Sequence, residues 1–173
     1  MNTFISKDDV VIIAAIANNG VIGRENKLPF KLKDDMKIFK QLTTGNAVIM
    51  GRKTFESMGS KPLPNRNNSI VSSTLPKSID GKFEVFSNLN SAILANETID
   101  SKPVFIIGGK SMYEEALDMA SVMILTHVDS EVEGDVTFPE VTWDKWEQVG
   151  VLLEKEADAN NEYNFKIVVY HRK

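Results

Sequence analysis

The chain has 173 residues, 42% hydrophobic and 25% charged, a balance typical of one globular domain, expected to span residues 1–173. It has no cysteine and only two histidines, which excludes disulfides and thiolate zinc sites and argues against any metal site. Its net charge of −4 argues against nucleic-acid binding. Its first apolar run is shorter than the roughly 20 residues of a membrane helix, so we expect no membrane segment and a cytoplasmic location. We also expect a monomer.

The N-terminal half of the chain alternates predicted strands with predicted helices. Val10–Ala17 is short, continuously apolar and rich in β-branched residues, which predicts a strand buried on both faces of a sheet. After a loop over residues 18–31, residues 32–42 have the spacing of an amphipathic helix. The other predicted elements of this half are a strand over 47–50, a short helix over 54–58, strands over 69–72 and 83–86, and a weak helix over 91–96.

The C-terminal half begins with the same alternation and ends differently. It predicts a strand over 104–107, a helix over 111–119 and a strand over 122–128. Residues 146–153 and 165–171 are two strand-like runs with only a polar connection between them, so we expect them to pair as an antiparallel hairpin. Strands that alternate with short helices are typical of an α/β sandwich around a mostly parallel sheet.

Two of the predicted strand-to-helix junctions carry glycine. Ile107 is followed by Gly108 and Gly109, and backbone amides exposed at such a turn can hold a phosphate. The alternative is a glycine turn that serves only to pack the strand tightly against the helix. The second junction, at Gly51, repeats the pattern and is followed by Arg52. Two such turns in one small sheet favour a dinucleotide as the ligand.

Cations and hydroxyl groups indicate which dinucleotide would bind. A site specific for NAD usually places an acidic residue near the adenosine ribose. Here the junction carries Arg52 and Lys53, and these cations would suit a 2′-phosphate together with the hydroxyls of Ser72 and Ser73. NADPH is therefore the expected cofactor. The alternative, a solvated basic helix start, is less favourable because cations at a helix N-terminus oppose the helix dipole unless an anion binds there.

Asp34 and Asp35 both fall in the first turn of the first predicted helix. Acidic residues are common there because they complement the helix dipole and accept backbone hydrogen bonds, and this structural role is expected for Asp34. Asp35 shares a face with Ile38, Phe39 and Leu42, which turns it toward the sheet. Partial burial would raise its pKa toward the range useful for proton transfer, so Asp35 is a catalytic candidate, with a structural cap as the alternative.

Two loops allow more than one interpretation. The loop over 18–31 is long and contains Gly20, Gly23 and Pro29, and its position between the first strand and the helix of Asp35 favours a lid over an ordinary connection. The acidic turn over 131–135 is either a functional element or solvated surface, and pattern alone does not decide between them.

A set of motifs along the whole chain carries a resemblance to a known family. They are AAIA (14–17), GVIG (20–23), NKLP (26–29), VIMGRKTFES (48–57), LP (63–64) with Arg66, IIGG (106–109) with Tyr113, LTH (125–127), EVEGD (131–135) and FP (138–139). No single motif would suffice, but in this order they resemble the dihydrofolate reductase family from Val11 to the C-terminus.

This resemblance implies a fold and a reaction. The fold would be a three-layer α/β sandwich around an eight-stranded, mostly parallel mixed sheet with an antiparallel C-terminal strand. The reaction would be the NADPH-dependent reduction of 7,8-dihydrofolate to 5,6,7,8-tetrahydrofolate, by hydride transfer to carbon 6 of the pterin and protonation of nitrogen 5. Asp35 would hold the pterin 2-amino group and nitrogen 3 and support that protonation, with Thr126 as its hydroxyl partner.

The resemblance also implies the binding residues. Dihydrofolate would contact Ile13, Ala14, Leu28, Phe30, Asp35, Met36, Phe39, Met58, Leu63, Arg66, Ile107 and Thr126, and Arg66 would bind the α-carboxylate of the glutamate tail in a bidentate manner. NADPH would contact Ala15, Ile22, Gly23, Leu28, Gly51, Arg52, Lys53, Thr54, Ser72, Ser73, Ile107, Gly108, Gly109, Lys110, Ser111, Met112 and Tyr113.

The sequence departs from the family pattern at three places. Phe30 stands where much of the family has tryptophan, so any water network that needs an indole donor must be arranged differently. Lys110 and Ser111 replace a more usual glycine and cation in the phosphate turn, so that Lys110 would supply the charge from a shifted position. The hairpin loop near residues 157–162 is shorter, which bears on closure of the lid.

Two other functions share parts of this pattern. The reductase of riboflavin synthesis resembles this family in fold and also uses NADPH, but Asp35, Arg66 and Thr126 together disfavour it. A catalytically silent module that binds NADPH would be favoured by the loss of Asp35 or Thr126, and both residues are present.

Overall fold

The computed structural model describes residues 3–78, 80–97 and 102–173. The strands are β1 (Val10–Ala17), β2 (Val21–Gly23), β3 (Ala47–Gly51), β4 (Asn67–Val71), β5 (Phe83–Phe86), β6 (Val104–Ile106), β7 (Val122–Val128), β8 (Val136–Thr137), β9 (Trp146–Lys155) and β10 (Phe165–Arg172). The helices are α1 (Lys33–Thr43), α2 (Arg52–Ser57), α3 (Leu89–Glu97) and α4 (Lys110–Ala116), and one turn of 3₁₀ helix covers Trp143–Lys145. The predicted alternation of strands and helices is confirmed.

Eight of the strands form one mixed sheet in the order β5-β4-β3-β6-β1-β7-β10-β9. All neighbours from β5 to β7 are parallel, whereas β10 runs antiparallel to both β7 and β9. The continuously apolar β1 lies inside this sheet, with Val11 and Ile12 fully buried. The mostly parallel sheet and the antiparallel C-terminal hairpin are therefore as predicted.

Helices cover both faces of the sheet. Because successive side chains of a strand point to opposite faces, β1 contributes to two separate cores. Ile12 belongs to a core that includes residues of α3 and α4, and Val11 belongs to a core that includes residues of α1 and α2. This arrangement confirms the predicted three-layer sandwich. None of the helices in the described residues has the length and apolar composition needed to cross a membrane.

Several elements begin or end away from their predicted bounds. The predicted helix over 54–58 begins at Arg52, because α2 follows β3 without a connecting loop. The predicted helix over 111–119 ends at Ala116, where the amide of Ala120 donates to the Ala116 carbonyl (2.7 Å) and the chain turns. The other shifts are of one or two residues. The helices concerned are α1 at 33–43 for 32–42 and α3 at 89–97 for 91–96, and the strands are β3 at 47–51 for 47–50, β4 at 67–71 for 69–72, β6 at 104–106 for 104–107, β9 at 146–155 for 146–153 and β10 at 165–172 for 165–171.

Sequence analysis missed a second, two-stranded sheet. β2 lies in the predicted lid loop and pairs antiparallel with β8, which follows the acidic turn over 131–135. Gly134 allows this close approach, because a Cβ atom there would lie 2.2 Å from Cγ1 of Val21 and 2.5 Å from the carbonyl oxygen of Gly23. The small sheet therefore holds the lid loop against the acidic turn.

Candidate active site

A cavity of about 910 Å³ opens along the carboxyl ends of the parallel strands. Ligands of open α/β sheets usually bind in this position. Most of the predicted binding residues line it: Ile13, Ala14, Ala15, Ile22, Gly23, Leu28, Asp35, Met36, Phe39, Gly51, Arg52, Lys53, Thr54, Met58, Leu63, Ile107, Gly108, Gly109, Lys110, Ser111, Met112, Tyr113 and Thr126. Lining residues that sequence reasoning missed are Asn26, Lys27, Ile38, Ser57, Val71, Glu114, Ile124, Asp135, Val136 and Ile167.

Asp35 and Thr126 face each other at one end of this cleft. Asp35 lies in the first turn of α1, and Thr126 lies on β7 opposite Ala15 of β1. The Thr126 hydroxyl donates a hydrogen bond to Oδ1 of Asp35 (2.5 Å). Burial raises the pKa of Asp35 above its ordinary value, while the bond from Thr126 acts in the opposite direction. A carboxyl group held this way can orient a ligand and favour a proton on it.

Asp34, the neighbouring residue, has the opposite environment. Its carboxylate accepts a hydrogen bond from the side-chain amide of Asn161 (2.7 Å), and the nitrogen atoms of Lys155 and Lys37 lie 3.5 and 3.7 Å away. The Asn161 bond is the main reason why the pKa of Asp34 is lowered. The carboxylate of Asp34 therefore binds a side chain of the distant hairpin, whereas the sequence led us to expect hydrogen bonds from the backbone of its own helix.

The two glycine junctions meet at the other end of the cleft. The Gly51 amide donates to the Gly108 carbonyl (2.8 Å), and the peptide bond between Gly108 and Gly109 is cis. Gly108 has φ +129°, and a Cβ atom there would lie 3.3 Å from Oγ1 of Thr54 and 3.4 Å from the Tyr113 hydroxyl oxygen. The backbone conformation therefore favours glycine at this position, the space beside it is tight, and the turn leaves backbone open to a ligand.

Tyr113 ties this turn to the central strand. It is buried, its hydroxyl donates to the carbonyl of Ile13 (2.8 Å), and burial raises the pKa of the hydroxyl well above its ordinary value. It therefore stays protonated and holds the start of α4 against β1. Both residues line the cleft between its two ends.

The cations of the second junction lie at the surface. The side chain of Arg52 is about 40% exposed and pairs with Glu56 one turn later on α2 (2.6 Å), and Lys53 is exposed. Ser72 and Ser73 follow β4 and do not line the cavity. The Ser72 hydroxyl oxygen already accepts hydrogen bonds from two backbone amides of the following turn.

Arg66 lies next to the cleft but outside its lining. It is half-buried, which lowers the pKa of its guanidinium, and it donates to the Pro64 carbonyl (2.9 Å) and the Thr43 hydroxyl oxygen (3.1 Å). The buried amide of Asn68 holds the segment before it through bonds to Leu63 and Arg66. Leu63 itself lines the cavity.

Phe30 is also outside the lining. Only 4% of this residue is exposed, and it belongs to the core between the sheet and helices α1 and α2. Its ring meets that of Tyr163 edge to face, with 6.5 Å between the centroids. Phe30 therefore packs against the C-terminal hairpin in this structure.

The loop over 18–31, the predicted lid, contributes residues to the wall of the cleft. Asn18 donates to Asp129 (2.9 Å) and Asn19 donates to the carbonyl of Val132 (2.8 Å), so both asparagines hold the loop near the acidic turn. Leu28 on this loop and Met36 on α1 are 48% and 49% exposed, and both line the cavity. Exposed apolar side chains at a cavity wall indicate a ligand with apolar surface.

Comparisons with known proteins agree with this geometry. The family model described as dihydrofolate reductase matches residues 9–172. The chain is 36% identical to a dihydrofolate reductase of Haemophilus influenzae over 94% of this chain and 98% of that protein, and 36% identical to one of Bacillus subtilis over 95% of each. It is also similar to the solved structure of dihydrofolate reductase from Enterococcus faecalis complexed with NADP(H) and RAB-propyl, with a TM-score of 0.89, 32% identity, and coverage of 97% of this chain and 98% of that chain.

Proposed function

The chain belongs to the dihydrofolate reductase family, and we propose that its cleft reduces 7,8-dihydrofolate to 5,6,7,8-tetrahydrofolate with NADPH. The observation that carries this proposal is the pair of Asp35 and Thr126 (2.5 Å) in a cavity that also reaches the glycine turn at Gly108. One end of the cavity can hold a pterin and the other a dinucleotide. The two reactants would then meet between them.

The glycine turn fits the nicotinamide dinucleotide. A side chain at Gly108 would fill the space beside Thr54 and Tyr113, so glycine keeps the backbone accessible to a ligand there. In this proposal the backbone of Gly108 to Ser111 and the side chain of Thr54 hold the phosphates, and Arg52 and Lys53 bind the 2′-phosphate. The bound cofactor supplies the hydride that carbon 6 of the pterin receives.

The residues at the other end would bind and orient the pterin. The Asp35 carboxylate accepts hydrogen bonds from the 2-amino group and nitrogen 3, and the Thr126 hydroxyl fixes the orientation of that carboxylate. A negative charge in a site of low dielectric makes a proton on the ring less costly, so Asp35 favours protonation at nitrogen 5. Phe30 packs in the core, so we assign it no part in proton transfer.

The remaining walls suit the rest of the substrate. The apolar side chains of Ile13, Met36, Phe39, Met58 and Leu63 provide the surface for the pterin and benzoyl rings. For Arg66, no described residue accepts a hydrogen bond from Nη2, which leaves part of the guanidinium fork for the α-carboxylate of the glutamate tail.

We extend the proposal to a monomeric, single-domain protein that acts in the cytoplasm and binds no nucleic acid. The net charge of −4 opposes binding to a polyanion.

The test is an assay of NADPH oxidation with dihydrofolate as the sole acceptor, with the pterin product identified by chromatography. Tetrahydrofolate formed in equal amount to the NADPH consumed supports the proposal. Binding of NADPH without oxidation would indicate a silent nucleotide-binding module instead. Turnover with an aminopyrimidine precursor of riboflavin, and none with dihydrofolate, would indicate the reductase of riboflavin synthesis.

A further inference from the structure

We propose that Asn161, in the loop between β9 and β10, is a positioning residue for the reaction: it holds the first turn of α1 and thereby keeps Asp35 against Thr126. The inference rests on the proposed function, because it concerns the residue that would orient the pterin. It adds a residue outside the cleft to the machinery of that site.

Asn161 is a buried loop residue whose side chain makes three hydrogen bonds. Only 1% of it is exposed. Its side-chain oxygen accepts the backbone N–H of Asp34 (3.1 Å), and its side-chain nitrogen donates to the carboxylates of Asp34 (2.7 Å) and Asp158 (3.0 Å). One amide group therefore joins the hairpin loop to both the backbone and the side chain of Asp34.

The backbone of the same loop supports this contact. The Lys33 amide donates to the Asn160 carbonyl (3.1 Å), and the Glu162 amide donates to the Lys31 carbonyl (2.9 Å). Asn161 itself forms an isolated antiparallel bridge with Leu32. The loop thus pairs with the chain at the point where it enters α1, and the side chain of Asn161 reaches into the first turn.

The first turn of helix α1 needs a hydrogen-bond acceptor from outside the helix. The first backbone N–H groups of a helix have no acceptor within the helix and usually receive one from the residue before it. Leu32 occupies that place in α1 and makes no side-chain hydrogen bond to the helix. Asn161 supplies the acceptor for Asp34 from 127 residues further along the chain.

The first turn of α1 also carries Asp35, the residue after Asp34, so the position of this turn affects the proposed chemistry. Asp35 must reach Thr126 on β7, so a small displacement of the first turn of α1 would lengthen the bond of 2.5 Å between them. The glycine turn at Gly108 belongs to β6 and α4 and lies outside this connection. Loss of Asn161 should therefore lower turnover and leave cofactor binding unchanged.

The chain offers a matched pair of variants in Asn161→Ala and Asn160→Ala. Asn160 is exposed, and the hydrogen bonds that it makes to Asp158 and Lys33 use its backbone, so Asn160→Ala preserves them. We expect Asn161→Ala to lower kcat for dihydrofolate by roughly tenfold to a hundredfold, the size expected for a misplacement of about 1 Å. The Kd for NADPH should stay at the wild-type value, and Asn160→Ala should match the wild type in both.

A double-variant cycle separates positioning from a merely structural role. If Asn161 acts through Asp35, Asn161→Ala should cost little further turnover in an Asp35→Asn background, because the group that it positions has already lost its charge. A residue needed only for stability would cause the same fold-loss in both backgrounds. Equal losses would therefore overturn the proposal.

Three further measurements keep the proposal testable if Asn161→Ala does not fold. Asn161→Asp places a carboxylate against those of Asp34 and Asp158, and it should lower kcat at least severalfold. The exchanged pair Asp34→Asn with Asn161→Asp restores one donor and one acceptor and should recover part of that loss. Hydrogen exchange of the Asp34 amide should be slow in the wild type and faster in Asn161→Asp.

The outcomes distinguish the inference from the proposed function. A wild-type protein that does not reduce dihydrofolate contradicts the proposed function. An active wild type in which folded Asn161→Ala or Asn161→Asp keeps the turnover of Asn160→Ala contradicts the inference alone.

Discussion

The two ends of the cleft hold their polar groups in different ways. At the end proposed for the pterin, the carboxyl of Asp35 is partly buried and meets the hydroxyl of Thr126, which is 4% exposed. At the end proposed for the dinucleotide, the polar groups are the backbone of a glycine turn and the partly or fully exposed cations Arg52 and Lys53. Burial away from water strengthens the electrostatic effect of a charged side chain on a reacting atom. A phosphate that only anchors the cofactor can be bound by charges that remain in water. Changes at the first end should therefore affect turnover, and changes at the second should affect cofactor affinity.

The largest effect is expected from Asp35→Asn, which keeps the shape of the side chain and removes its charge. Turnover at neutral pH should fall by about 10² to 10⁴-fold, the usual size of a general acid–base contribution. Lower pH should restore part of the rate, because dihydrofolate protonated in solution bypasses the missing charge. The measurement is kcat across pH at saturating NADPH. A loss of NADPH affinity as large as the loss of turnover would break the distinction between the two ends.

At the dinucleotide end, the double substitution Arg52→Ala with Lys53→Ala should weaken NADPH binding by about a hundredfold. This assumes one charge-assisted contact of about 1.5 kcal/mol for each cation, or a factor of about ten. The wild type should prefer NADPH strongly over NADH, and the variant should lose that preference. Binding titrations with both cofactors test this, with NADH as the internal control. Equal affinity of the wild type for the two cofactors would refute the assignment.

Arg66→Lys should have a smaller effect, limited to the tail of the substrate. It keeps the charge and loses the planar fork, so KM for dihydrofolate should rise about twofold to tenfold, the cost of one net hydrogen bond. A dihydropterin without glutamate should show little change in KM. If both substrates lost affinity equally, Arg66 would be structural, as its bonds to Pro64 and Thr43 would allow.

The smallest effect concerns stability, and its sign distinguishes Asp35 from an ordinary surface acid. Burial raises the pKa of Asp35 in the folded protein above its ordinary value of 3.8, so above pH 3.8 the folded state binds more protons than the unfolded state. Ionised Asp35 therefore costs stability as the pH rises through that range. Asp35→Asn should raise Tm by a few degrees at neutral pH, and the gain should vanish below pH 3.8. Thermal unfolding of both proteins from pH 3 to pH 8 is the measurement, and a lower Tm for the variant at neutral pH would contradict it.

Sequence reasoning found the parts of the fold that depend on local pattern. The continuous apolar run of Val10–Ala17 predicted β1 with the bounds that the structure has. The apolar face shared with Ile38, Phe39 and Leu42 indicated that Asp35 is turned toward the sheet, and its pKa shift has the predicted direction. Periodicity and spacing were sufficient here because each signal lies within a few residues.

Contacts between distant segments could not be predicted in the same way. β2 and β8 have three and two residues, too few for a strand pattern, and their close approach depends on the absence of a side chain at Gly134. Asn161 stands in a polar loop like its neighbour Asn160, and only the folded chain shows that it is buried against Asp34. Phe30 stands where much of the family has tryptophan, and only the folded chain shows that its ring packs against Tyr163.

The most direct test of a desolvated carboxylate at the end proposed for the pterin is to measure the pKa values of Asp35 and Asp34 by carbon-13 NMR of aspartate-labelled protein. Their adjacent positions in the same helical turn make each a control for the other. The pKa of Asp35 should lie above 3.8 because burial dominates, and that of Asp34 should lie below 3.8 because Asn161 donates to its carboxylate. In Thr126→Val the pKa of Asp35 should rise further, since the hydrogen bond that lowers it is removed. An Asp35 pKa at or below that of Asp34 would contradict a desolvated carboxylate at the pterin end.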